Sequence, residues 1–101
     1  MSKENDTILD YMNIMADHTV LKYEPQAVVV DIVRNFWLKH FSPNELRRLQ
    51  AKEVENKTKK IYLKSYPRAD EETLHNFAND VVFHLVYELT ELAKRKTWSK
   101  F

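Results

Sequence analysis

The chain has 101 residues, 44% of them hydrophobic and 31% charged, with three prolines, no glycine, no cysteine and a formal net charge of +1. That length suits one domain (1–101) with a single core, and the composition suits a folded helical protein. Without cysteine there is no disulfide framework, thiolate zinc site or cysteine nucleophile; without glycine, tight hairpins and phosphate-cradling loops lose the residue they depend on.

Residues 1–5 are expected to be a flexible tail, and Asn5 or Asp6 to cap a first helix over about 7–20. Its apolar stripe is Ile8, Tyr11, Met12 and Met15, and Tyr23-Glu24-Pro25 ends it, because the residue before a proline is pushed out of the α region. Pro25 then suits the first turn of a second helix, about 25–40, where a missing N–H costs nothing. That helix carries Val28, Val29, Ile32, Val33 and Phe36 on one side, with Val30, Trp37 and Phe41 widening the arc. His40 falls on the same apolar face by spacing, near the helix end, and is expected to be either a buried, hydrogen-bonded core residue or one favoured by the negative helix end.

Ser42-Pro43-Asn44-Glu45 opens the third helix, about 43–65, with a serine N-cap, proline at N1 and glutamate at N3, the pattern of a capping box. Its apolar stripe (Leu46, Leu49, Val54, Ile61, Tyr62) is thin and drifts, so the segment is either one long helix or two pieces broken near Asn56, with Ile61-Tyr62-Leu63 as a short strand the lesser alternative. Tyr66-Pro67-Arg68-Ala69 breaks the chain again, and Asp70 caps a long C-terminal helix, about 70–97. There Leu74, Ala78, Val81, Leu85, Glu88, Leu92 and Arg95 recur in alternating steps of four and three, the seam of an amphipathic helix. The expected fold is all-α: an antiparallel bundle of about four helices built around this last one.

Charge is segregated along the chain. Residues 46–69 hold eight Lys/Arg against two acids, residues 70–92 hold six acids and no base, and residues 93–101 hold four bases and no acid. A basic third helix beside an acidic fourth is complementary. The same cations, Arg47, Arg48, Lys52, Lys59 and Lys60, are also the candidates for contacts to nucleic-acid phosphates, which need only cations within reach. Zinc-finger spacing and an RNA-recognition signature are absent from the sequence.

Nothing in the sequence calls for catalysis, a metal or another cofactor. Asp80, His84 and Glu88 recur at four-residue steps, and Glu72-x-x-His75 has the spacing of one half of a di-iron motif. A single copy reads more simply as acid–histidine pairs on an exposed helix face. The serines have no base beside them, and no small-molecule substrate site is evident.

Three residues of the last helix point to binding instead. Phe83 and Tyr87 lie one turn apart on the flank away from Leu74 and Leu85, a place where aromatic side chains mark contact surfaces. Glu88 interrupts the apolar seam, and a lone polar group at such a position fixes register or partner choice at a cost in stability. Either His84 or a cation on a neighbouring helix is its expected partner. The function expected is that of a small non-enzymatic interaction or regulatory protein, presenting a helix face to a protein partner or to itself as a homodimer. The alternative is nucleic-acid binding through the basic third helix. No apolar run approaches the ~20 residues of a membrane span, so no membrane contact and a cytoplasmic location are expected.

Overall fold

The computed structural model describes residues 6–17 and 24–100. The expected tail over 1–5 and the last turn of the first helix, 18–20, lie outside the described residues, as does the Met15 side chain. The fold is all-α. Among the described residues there is no strand, only one isolated antiparallel bridge between Thr7 and Gln50.

Helix α1 spans Ile8–Asp17. Its cap is Thr7 rather than Asn5 or Asp6: the Thr7 amide donates to Asp10 Oδ2 (3.1 Å) and the Asp10 amide donates to Thr7 Oγ1 (3.3 Å). Two helix-start amides are thereby satisfied reciprocally.

Next comes one helical rod in three parts: α2 (Ala27–Ile32), a π-helical turn (Val33–Trp37) and α3 (Leu38–His40). It begins two residues after Pro25, which precedes the helix instead of opening it. In the π turn the Leu38 amide donates to the Val33 carbonyl, five residues back. A π turn takes up one extra residue, so every later position lags by about one residue's rotation. Phe41 therefore takes the inward place expected of His40. The Phe41 ring stacks on buried Trp37 (5.5 Å, 23°), and Phe36 meets Trp37 edge-on at 4.9 Å. His40 is exposed in the last turn of α3, which corrects the buried alternative and leaves the helix-end one.

The third expected helix is two: α4 (Pro43–Arg48) and α5 (Ala51–Ser65). Ser42 and Glu45 form the anticipated capping box on α4, with Ser42 N to Glu45 Oε1 at 2.8 Å and Glu45 N to Ser42 Oγ at 3.2 Å. The break falls at Leu49–Gln50, not near Asn56, and Gln50 with Glu53 forms a second reciprocal cap. Backbone groups freed there pair with the start of the chain. Ile8 N donates to Leu49 O (2.8 Å) and Ala51 N to Asp6 O (2.9 Å), so the N-terminus fills the gap between the two helices.

Helix α6 spans Glu71–Lys100, 30 residues or ~45 Å at ~1.5 Å per residue. Asp70 caps it by accepting from the Thr73 amide at 2.9 Å. Bonds from the Thr73 side chain and then its backbone hold the Asp70 carboxyl below its ordinary pKa. α6 packs against α5, α1, α2 and the π turn. Ala78, Val81, Leu85 and Leu89 are fully buried on it, with Val82 and Val86 beside them. Ile8, Val29, Val33, Leu46 and Val54 close the core from the other helices.

Candidate interaction site

The width of the buried arc on α6 fixes what remains outside. Phe77, Val81, Val82, His84, Leu85, Val86 and Leu89 all face neighbours, which leaves the stripe through Asn76, Asn79, Phe83 and Tyr87 on the outer side. Phe83 is 37% exposed, and Tyr11 of α1 is exposed to the same degree. The two aromatics line one open groove of about 470 Å³, together with Glu55 of α5 and Asn76, Asn79, Asp80 and Val82 of α6.

The groove is acidic. The Tyr11 phenol is raised above its ordinary pKa by partial burial first, then by the negative charges of Asp6 and Glu55. Both carboxylates thus act on the Tyr11 ring's surroundings, and Asp80 adds a third at the groove's edge. Aromatic faces among carboxylates suit a cationic group, which gains from the ring quadrupole and from the charges together.

Glu88 lies apart from this groove. Its Oε2 accepts from Arg34 NH2 of the π turn at 2.8 Å and sits 3.4 Å from His84 Nε2. Both expected partners are therefore present at once. His84 is 5% exposed, so the sequence picture of an exposed acid–histidine ladder is corrected: the helical rod carrying Arg34 packs on that side of α6. Burial lowers the His84 pKa. The Glu88 and Asp80 charges oppose this shift, and the Arg34 charge adds to it. Tyr87 bridges the two regions, half-buried, its ring stacked on His84 at 6.1 Å.

No family model, curated protein or solved structure matches the chain.

The basic candidates are divided by the helix break. Arg47 and Arg48 end α4, and Arg47 NH1 donates to Asn44 Oδ1 at 2.8 Å. Lys52, Lys59 and Lys60 belong to α5, where Lys52 and Lys59 share one stripe and Lys60 lies about a quarter-turn away. Among the described residues no three His, Asp or Glu side chains form a group able to hold a metal ion, and no helix is long and apolar enough to cross a membrane.

Sequence reasoning had Phe83 and missed Tyr11, because the two meet only through the packing of α1 on α6. An available signal was the polar surround of Tyr11: Asp10 precedes it and Asn13 follows two residues on, so it sits at the edge of its apolar stripe.

Proposed function

We propose that this is a small non-enzymatic interaction protein, which docks another protein chain on the outer face of α6 and the Tyr11–Phe83 groove beside it. One observation carries the reading. Two large aromatic side chains from separate helices are exposed in the same groove, whereas Phe77 of α6 and Trp37 of the π turn are buried in the core. Exposed aromatics grouped by tertiary structure are typical of contact surfaces, since they bury much area at little entropic cost. Glu88, held by Arg34 and His84, acts as a positioning residue that fixes how the helical rod sits on α6.

The test is retention. Immobilised protein is expected to hold a protein partner, or further copies of itself, that Phe83→Ser and Tyr11→Ser variants with unchanged helical circular dichroism do not hold. Retention unaffected by both variants contradicts the reading. So does binding that is confined to DNA or heparin, falls steeply with salt and disappears in an Arg47/Arg48/Lys52 triple alanine variant.

A further inference from the structure

Helix α5 ends on an exposed ring that is rooted in the core. Tyr66, the most exposed aromatic side chain among the described residues at 49%, meets Tyr62 at 4.7 Å and 35°. Tyr62 in turn meets buried Phe77 of α6 at 4.2 Å and 34°. The three rings form one ladder, its inner end fixed and its outer end open. The backbone holds that outer end: the Tyr66 amide donates to the Tyr62 carbonyl (2.8 Å) and the Ala69 amide to the Tyr66 carbonyl (3.2 Å). Pro67, between them, has a fixed φ. An open pocket of about 460 Å³ lies against the ladder, lined by Tyr62, Tyr66 and Pro67, with Ser65, Arg68 and Thr73 around them. It shares no residue with the Tyr11–Phe83 groove.

The same helix carries cations that no carboxylate neutralises. Counting back from Tyr66 in steps of seven gives Lys59 and Lys52, which places all three on one stripe over ~21 Å. Lys60 lies a quarter-turn to one side, and Arg68 stands at the pocket itself. Among the described residues the ion pairs are Arg34–Glu88 and His84–Glu88, so none of Lys52, Lys59, Lys60 and Arg68 is in one. Opposite charge on α5 and α6 therefore does not resolve into ion pairs between the two helices. The acids of α5 are placed elsewhere: Glu53 accepts from the Gln50 amide at 3.3 Å, and Glu55 lines the Tyr11–Phe83 groove.

We propose that this surface is a site for single-stranded nucleic acid, with a base stacked on the open face of Tyr66 and phosphates of the same strand held by Arg68, Lys59, Lys52 and Lys60. Ring faces for bases and cations for the backbone are the combination that binds single strands, and it needs no groove-reading motif. A duplex suits the site less, because its bases are stacked on one another and offer Tyr66 no free face. An acidic peptide would meet the lysines and leave the ring ladder unused. Charge also sets the direction of the strand. Glu71 and Glu72 open α6 just beyond the corner and repel phosphates, so the strand leads away from them, along α5 toward Lys52. This site goes beyond the docking reading above, and neither surface needs the other.

Fluorescence anisotropy of a labelled oligothymidylate of about twelve nucleotides, within the reach of one such site, tests this on the intact protein. Binding is expected, with a slope of log affinity against log salt of about −2 to −3, since three or four phosphate contacts contribute ~0.7 each. Tyr66→Ala should weaken binding about tenfold with the slope unchanged, and Tyr66→Trp should retain it. Lys59→Ala should make the slope shallower by ~0.7. Lys64→Ala, more than a third of a turn off the stripe, should leave the slope as it is. An abasic strand of the same length requires no variant, and should bind the unmodified protein about tenfold more weakly than oligothymidylate. Tyr11→Ser and Phe83→Ser should not change any of these values. The inference is overturned by absence of binding, or by an abasic strand, a duplex or polyglutamate binding as tightly as oligothymidylate. Lys64→Ala acting as strongly as Lys59→Ala, or loss of binding in Tyr11→Ser or Phe83→Ser, overturns it as well.

Discussion

Arg34 NH2 and Glu88 Oε2 lie 2.8 Å apart, joining residues 54 positions apart in sequence across the contact between the π turn and α6. The Arg34 side chain is 59% exposed and that of Glu88 22%, so water screens the pair and its net worth is small. A double-mutant cycle with Arg34→Ala and Glu88→Ala should give a coupling below about 1 kcal/mol that shrinks as salt is added. Glu88 also lines a pocket of about 190 Å³ with Leu38, Phe41, Leu46 and Leu92. Glu88→Leu therefore should raise the melting temperature by filling apolar space, while loosening the angle at which the helical rod meets α6. A large loss of stability would show that the ion pair holds the fold itself.

His84 ties stability to pH. Its pKa is lowered in the folded state, chiefly by burial, so the unfolded chain binds the proton more readily. Stability is then complete above the unfolded value of 6.5 and falls as pH drops through it, levelling once the folded state also takes up the proton. Urea unfolding at a series of pH values between about 7.5 and 5 should show this decline, and His84→Gln should flatten it. An unchanged slope in that variant would move the titration to another group.

Thr58 is fully buried on α5, and its Oγ1 has no hydrogen-bond partner among the described residues. A buried hydroxyl without a partner loses its hydration and gains nothing in return. Thr58→Val keeps the shape and removes the polar atom, and should stabilise the protein by about 1 kcal/mol in chemical denaturation. Leu85→Ala, at a fully buried site on α6, is the opposite case and should cost about 2–5 kcal/mol.

What the sequence disclosed follows how local the governing interactions are. The caps at Ser42 and Asp70 and the seam Ala78–Val81–Leu85 were legible because each depends on residues within a turn or two. The break at Leu49–Gln50 was not, because its backbone groups are satisfied by Asp6 and Ile8, more than forty positions away. Gln50-x-x-Glu53 was the local trace of that break, hidden by glutamine's rarity as a cap. His40 misled for a different reason: a one-residue lag in the π turn rotates everything beyond Trp37, and periodicity counted at 100° per residue does not register it. Of the site, Phe83 and Glu88 could be picked out on one helix. Their separation into a groove with Tyr11 and an ion pair with Arg34 needed the packing of α1 and the helical rod on α6.

The central claim is that the outer face of α6, with Tyr11 beside it, is where this protein meets another chain. Backbone amide resonances followed while the protein is diluted from its highest soluble concentration test that most directly, because they report the position of a contact without a chosen mutation. Shifts confined to α1 around Tyr11 and to α6 around Asn76, Asp80, Phe83 and Tyr87 are the predicted result. Shifts concentrated in α4 and α5 around Arg47, Arg48, Lys52 and Lys60, with α6 silent, would contradict it.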